Sequence, residues 1–193
     1  LFIAEHPNLH VEIEFNDKKI DLVAEGYDLA LRIGHMADSS LVSRKISRNT
    51  LHFVASPSYL ESNGIPQTPD DLEHHNGLLY KNVMNQVNWV GSHINQTQRF
   101  TIQAKVVSNS GLALLEMAKA GLGIVNLPRF IIGQSLEKGE LIEILPEYKQ
   151  QKLEIHVVYP NRRHLPIKVR AFIEFLSGLG LCSEILENPE DSH

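Results

Sequence analysis

Residues 105–129, KVVSNSGLALLEMAKAGLGIVNLPR, decide how this chain folds. Lys105 to Val107 reads as a strand and Ser108-Asn109-Ser110 as a tight polar turn. Leu112 to Ala120 then reads as a helix, and Ile124 to Leu127 as a second strand stopped by Pro128. The helix interior is built from strong helix formers. Ser108 or Asn109 is expected to cap it, because a short side-chain oxygen accepts a bond from a first-turn N–H that has no other partner. Gly121 supplies the left-handed residue that closes a helix. A short apolar run is the mark of a strand buried in a parallel sheet. Strand, helix and strand in this order leave the free N–H groups of one helix where parallel strands end. Open α/β sheets bind ligands at that edge, and anions are favoured there. A plain connection with no ligand fits the stretch equally well.

Working outward, the 193 residues are 42% hydrophobic and 21% charged, enough for one large domain or two small ones with a stable core. The net charge of −5, with Lys and Arg scattered, gives no electrostatic footprint for nucleic acid. One cysteine, Cys182, excludes an intramolecular disulfide and suits a reducing compartment. No apolar run is long enough to cross a bilayer and no signal peptide opens the chain, so a cytoplasmic protein with no membrane partner is expected. The opening Leu-Phe-Ile-Ala-Glu-His-Pro reads as the last turns of an amphipathic helix without a start signal. The chain is therefore read as a piece of a longer one.

Upstream of the opening stretch, Leu9, Val11, Ile13 and Phe15 alternate with polar residues, the period of a half-buried strand. Asn16-Asp17 is expected to cap a short helix through Ile20, Leu22 and Val23, closed by Gly26. Leu29 to Ile33 follows as a second strand, which makes a right-handed βαβ unit. Arg32, near that strand's end, reads either as a surface cation or as a guanidinium that grips a carboxylate with two hydrogen bonds. Ser56-Pro57 and Thr68-Pro69-Asp70-Asp71 carry helix-start signals. Downstream, Pro128 to Glu137 reads as a helix, Leu141 to Leu145 and Leu153 to Tyr159 as strands, and Pro166 to Leu176 as an amphipathic helix. Breaks at Asn63–Pro66 and Pro146–Lys152 divide the chain. Residues 1–62 and 153–193 are expected to form one α/β lobe and 63–152 a second, joined by two crossover segments around a hinged cleft.

Motifs for catalysis are absent. No Gly-x-Ser-x-Gly elbow or phosphate loop occurs. Gly121-Leu-Gly123 follows a helix and enters a strand, the reverse of a dinucleotide site. Among ten histidines, His6 and His10 are separated by Pro7, and the adjacent His74 and His75 cannot readily share an ion. Cys182 reads as a small apolar filler. The serines of the 108–110 turn have no base nearby to activate them. No catalytic residue, metal or cofactor is expected.

Together these segments resemble LysR-type transcriptional regulators. Asp-Leu-Val-Ala-Glu-Gly-Tyr-Asp-Leu-Ala-Leu-Arg-Ile-Gly (21–34) is similar to the family's most recognisable segment. Ser-Ser-Leu-Val-Ser-Arg-Lys (39–45), Ala-Ser-Pro-Ser-Tyr-Leu (55–60) and Thr-Pro-Asp-Asp-Leu (68–72) follow in the family's order. Ala-Gly-Leu-Gly-Ile (120–124) with Leu127-Pro128, and Tyr-Pro-Asn-Arg-Arg-His-Leu-Pro (159–166) before Lys-Val-Arg-Ala-Phe (168–172), complete the likeness. The resemblance implies an effector-binding domain of the two-lobe, type II periplasmic-binding-protein-like fold, with Rossmann-like subdomains. It implies a small-molecule effector between the lobes, often a carboxylate, and a homodimer or homotetramer. DNA would be contacted only through an N-terminal winged helix-turn-helix outside this chain. By position it places effector contacts at Arg32 and Gly34 in one lobe, and at Tyr80, Ser108, Asn109, Ser110, Leu127 and Pro128 in the other. It also implies a strand and a Ser/Thr-bearing turn before the helix that ends at Pro7. An extracytoplasmic solute-binding protein shares the fold and is the alternative reading; an enzyme on the same fold ranks below both.

Overall fold

In the computed structural model of the chain the described residues are 1–16, 20–34, 40–81, 88–93, 96–150, 152–161 and 165–178. The chain forms two compact units, Leu1–Asn49 with Leu153–His193, and Thr50–Lys152. Residues 50–62, expected in the first lobe, belong to the second unit. Phe53, Ala55, Tyr59 and Leu60 share a core with Leu72, Leu79, Phe100 and Ile124. The Asn63–Pro66 turn ends a helix, but the core sets the boundary. Cys182 and Arg162-Arg163-His164 lie outside the described residues.

The first unit opens with α1 (Phe2–Glu5), whose Phe2 is buried between the rings of Phe172 and Phe175. The expected strand over 9–15 is not formed. Among the described strands none pairs with this segment, and Ile13 and Phe15 are 65% and 96% exposed. Alternation marks a segment that fits a sheet edge; without a neighbouring edge it stays extended. Of the helix expected from Asn16-Asp17 to Gly26, residues 17–19 lie outside the described residues, and 22–26 form a turn instead. Asp21 Oδ1 accepts the N–H groups of Val23 and Ala24, and Gly26 closes the turn at φ +77°. The Tyr27 hydroxyl donates to the Glu14 carboxylate, and that bond first of all pushes the phenol up to about 12.

β1 (Ala30–Ile33) lies where a strand was expected, but among the described residues no βαβ unit precedes it. Its partner is antiparallel, the late strand Lys152–Pro160. That strand sits between β1 and β2 (Leu41–Ala55), which starts in the first unit and ends in the second.

In the second unit α2 (Pro57–Asn63) starts as its sequence dictates: Ser56 Oγ accepts the Tyr59 N–H and Pro57 is the first helical residue. A 3₁₀ helix (Pro69–His74) carries a capping box, with Asp71 accepting the Thr68 N–H. β3 (Asn76–Tyr80) follows, then the hairpin of β4 (Asn88–His93) and β5 (Gln96–Thr101). β6 (Gln103–Ser108), α3 (Gly111–Lys119) and β7 (Ile124–Pro128) form the strand–helix–strand expected from the opening stretch. Gly121 closes α3 at φ +78°, and a Cβ on Gly123 would collide with the Asn76 carbonyl. α4 (Arg129–Glu137), the short β8 (Ile142–Glu143) and β9 (Lys149–Gln150) complete the unit. β8 is shorter than the strand expected over 141–145. The sheet runs β2-β7-β3-β6 with β8 on β2, while β9 pairs with β4. β3, β6 and β7 are mutually parallel. One face packs Val54, Leu78, Val125 and Leu127 under α3 and α4; the other packs Phe53, Leu79 and Ile124 with Phe100 and Ile102.

The chain returns to the first unit in β10 (Lys152–Pro160) and α5 (Ile167–Gly178). α5 buries Val169, Ile173 and Leu176 against Ile46, Ile155 and Val157, the stripe that its periodicity forecast, with Phe172 partly buried beside it.

Candidate functional site

The eight residues singled out from the sequence fall in two groups, one per unit. In the second unit the parallel strands β3, β6 and β7 end at one edge. Tyr80 is the register partner of Ser108, and the Lys81 N–H donates to the Ser108 carbonyl at 2.8 Å. Leu78 is level with Val125, so two residues further Tyr80 is level with Leu127. Across the antiparallel ladder Leu127 is opposite His52 of β2. His52, Leu127, Tyr80 and Ser108 therefore form a transverse row at the carboxyl edge of the sheet, the edge that the chemistry of open α/β sheets favours for ligands.

The 108–110 turn links this row to α3. Its cap is Ser110, not Ser108 or Asn109: Ser110 Oγ accepts the Ala113 N–H at 3.2 Å. Ser108 is still held in β6 by Tyr80, and its hydroxyl accepts the Ser110 N–H at 3.1 Å instead. Asn109 is exposed at the tip. A Cβ on Gly111 would lie 2.8 Å from Ile131 and 3.6 Å from Leu127, so the first residue of α3 seats directly against α4 and β7. Leu127 and Pro128 are buried, and Pro128 leads straight into α4, whose first residue is Arg129.

In the first unit Arg32 is half-buried on β1, opposite His156, and its Nη2 donates to the Ile20 carbonyl at 3.1 Å. Gly34 stands just past the strand at φ +104°, its N–H bonded to the Glu154 carbonyl at 2.9 Å. The structure adds a polar chain that sequence spacing did not reveal. His156 Nδ1 lies 3.0 Å from the Ser43 hydroxyl and its Nε2 lies 3.2 Å from Glu154, which also takes Lys45 at 3.1 Å and Arg48 at 3.5 Å. Lys45 and then His156 hold the Glu154 carboxyl below its usual range. An ionised carboxylate only accepts, so in the neutral ring Nε2 carries the proton and Nδ1 accepts from Ser43.

His52 was likewise not singled out. Its Nδ1 is 2.6 Å from Glu143 of β8, and this bond is the main reason why the Glu143 carboxyl titrates low. A depression of about 410 Å³ lies at the other end of β6, lined by Glu73, His74, Thr101, Ile102, Gln103 and Ala104. It opens at the amino ends of the strands, so it does not involve the candidate row. Among the described residues no three His, Cys, Asp or Glu side chains are grouped to hold a metal ion. No described helix is long and apolar enough to cross a membrane.

A family model for the LysR substrate binding domain matches residues 1–179. An HTH-type transcriptional regulator of Haemophilus influenzae is 83% identical over 168 residues, covering 87% of this chain and 58% of that protein. The HTH-type transcriptional regulator YhjC of Escherichia coli is 32% identical over 180 residues, covering 92% of this chain and 60% of that protein. Among solved structures, the regulatory domain of CrgA, a LysR-type transcriptional regulator from Neisseria meningitidis, is similar with a TM-score of 0.82. It is 26% identical, over 91% of this chain and 86% of that one. The chain thus spans 58% and 60% of the length of the two relatives.

Proposed function

We propose, for a chain that belongs to the LysR substrate binding domain family and has its type II periplasmic-binding-protein-like fold, that it is the sensing part of a DNA-binding transcription regulator. It binds a small organic acid reversibly and does no catalysis. Binding shifts lobe closure or subunit packing, and so the spacing of DNA-binding heads carried elsewhere in the whole protein. That protein is a cytoplasmic homodimer or homotetramer in this reading. The observation that carries the ligand part is the shared carboxyl edge of β3, β6 and β7. There Tyr80, Ser108 and Leu127 lie level beside the start of α3. The solute-binding alternative is not favoured, because both relatives are HTH-type regulators.

Thermal-shift screening of the chain against small carboxylic acids and their neutral analogues tests this. A true effector at a hundred times its Kd adds about 2.7 kcal/mol of stability. Arg32→Ala then weakens binding about tenfold, the scale of a lost hydrogen bond to a charged group, with the melting temperature of the unliganded variant as the baseline, since the change also removes the bond to the Ile20 carbonyl. Ser110→Ala is the poorer probe, because its hydroxyl is already engaged as the helix cap. If no acid stabilises either this chain or the full-length regulator, the ligand assignment fails.

A further inference from the structure

We infer that His52 is a further effector contact in the second unit, its Nε2 taking an oxygen of the ligand's carboxylate, and that Glu143 is the residue that positions its ring. The inference rests on the effector reading given above and extends it to a residue of β2. Its first support is place. His52 ends the transverse row whose other members are Leu127, Tyr80 and Ser108, and it is the direct ladder partner of Leu127.

The second support is an unmet polar atom. His52 is only 16% exposed, and its Nε2 is buried with no hydrogen-bond partner. Among the described residues one other buried side-chain atom shares that condition, Asn126 Oδ1. Both flank Leu127, Asn126 along the chain and His52 across the ladder. Folded proteins leave few such atoms, and those left often mark a site for a ligand or an ordered water. Asn126 pairs with Phe53 and so faces the opposite side of the sheet. His52 faces the row.

The third support is orientation. Glu143 accepts from Nδ1 at 2.6 Å, so the ring is pinned and Nε2 is its one remaining polar atom. Glu143 is ionised, helped by the charge of Arg129. With both ring nitrogens carrying a proton, Nδ1–H donates to Glu143 on one side and a ligand carboxylate can accept on the other. Nε2–H then donates to the ligand oxygen.

The test uses the 193-residue chain with ¹⁵N-labelled histidine rings and backbone amides, titrated with sodium benzoate and sodium acetate. Benzyl alcohol serves as the neutral control. The His52 signal is assigned by its loss in His52→Gln. The expected result is a saturable shift of His52 Nε2 together with the amides of Tyr80 and Ser108–Ser110, absent with benzyl alcohol. His52→Gln then weakens carboxylate binding about tenfold, as loss of a charge-assisted bond does. Glu143→Gln weakens it less, because the ring stays in place but turns more freely. If the amides shift and the ring does not, His52 is no contact and the effector reading survives. If neither shifts with either acid, the edge takes no carboxylate and both readings fall. Should His52→Gln fail to fold, His52→Asn supplies the assignment and the unmutated ring signal decides.

Discussion

The second unit closes its sheet on both faces, with one apolar cluster around Phe53, Leu79 and Phe100 and another around Val54, Leu114 and Leu127. The first unit gathers its apolar cluster on one face of its sheet. α5 seals Ile155 and Val157, while Leu31 and Ile33, on the same face of β1, remain 49% and 54% exposed. The other face carries the Ser43–His156–Glu154 chain and the cations that hold it. The units thus obtain order differently. In the second, the central strands β2, β7 and β3 are fixed by what packs above and below them. In the first, hydrogen bonds and ion pairs share a face with the buried Val158, and they contribute less per group and depend on solution conditions.

Phe53→Ala against Phe15→Ala is the hardest test of this contrast. Phe53 is 1% exposed and stands edge-on to Phe100, with ring centroids 5.4 Å apart. Its truncation is expected to cost about 3–5 kcal/mol. Phe15 is 96% exposed, and its truncation is expected to change stability by less than about 0.5 kcal/mol. Urea unfolding of both variants measures the difference; equal costs would break the comparison. Next in size is Gly123→Ala, expected to cost about 1–3 kcal/mol because its methyl group meets the Asn76 backbone carbonyl, which cannot move without disturbing β3. Gly26→Ala in the first unit meets nothing nearby. Only its left-handed backbone opposes the methyl group, a cost of about 1 kcal/mol.

The second unit was also the more legible in sequence, for the same reason. Ser56-Pro57, the Thr68–Asp71 box and Gly121 are local signals, and each fixed an element where it was expected. The strand foreseen over 9–15 needed a neighbouring edge, which no periodicity supplies. The helix cap was misplaced because the end of β6 is set by pairing of Ser108 with Tyr80, a contact between distant segments. The eight candidate positions came from the family resemblance, which places effector contacts at strand ends. His52 with Glu143 and Ser43 with His156 stayed hidden, because these partners are 91 and 113 residues apart.

The cap gives a smaller and sharper test. Ser110→Ala removes the acceptor for the Ala113 N–H and should cost about 1 kcal/mol. Ser108→Ala loses a bond within an exposed turn, and Asn109→Ala loses only an exposed side chain; both should stay within about 0.5 kcal/mol. The order is read from thermal melts of the three variants. A larger loss for Asn109→Ala would return the cap to the position first expected.

Acidification should separate the units by the smallest margin. In the second unit His75 is 6% exposed, its Nδ1 accepts the Tyr59 hydroxyl, and that oxygen in turn accepts the Asn76 N–H. Burial pushes the imidazole below its ordinary 6.5. The unfolded chain therefore binds a proton at a higher pH than the folded one. Between the two values stability rises with pH, so it is whole above 6.5 and is lost as pH falls below it. The slope cannot exceed about 1.4 kcal/mol per pH unit for one group. In the first unit Glu154 is held below 4.5 by Lys45, so its contribution persists until the pH falls under that value. Hydrogen exchange, corrected for its intrinsic pH dependence, should show β3 amides losing protection between about pH 7 and 5.5 while β10 amides keep theirs. His75→Gln offers Tyr59 an acceptor that does not titrate, and should flatten the β3 response. A β3 response that persists in His75→Gln would assign the acid sensitivity to another group and remove this distinction between the units.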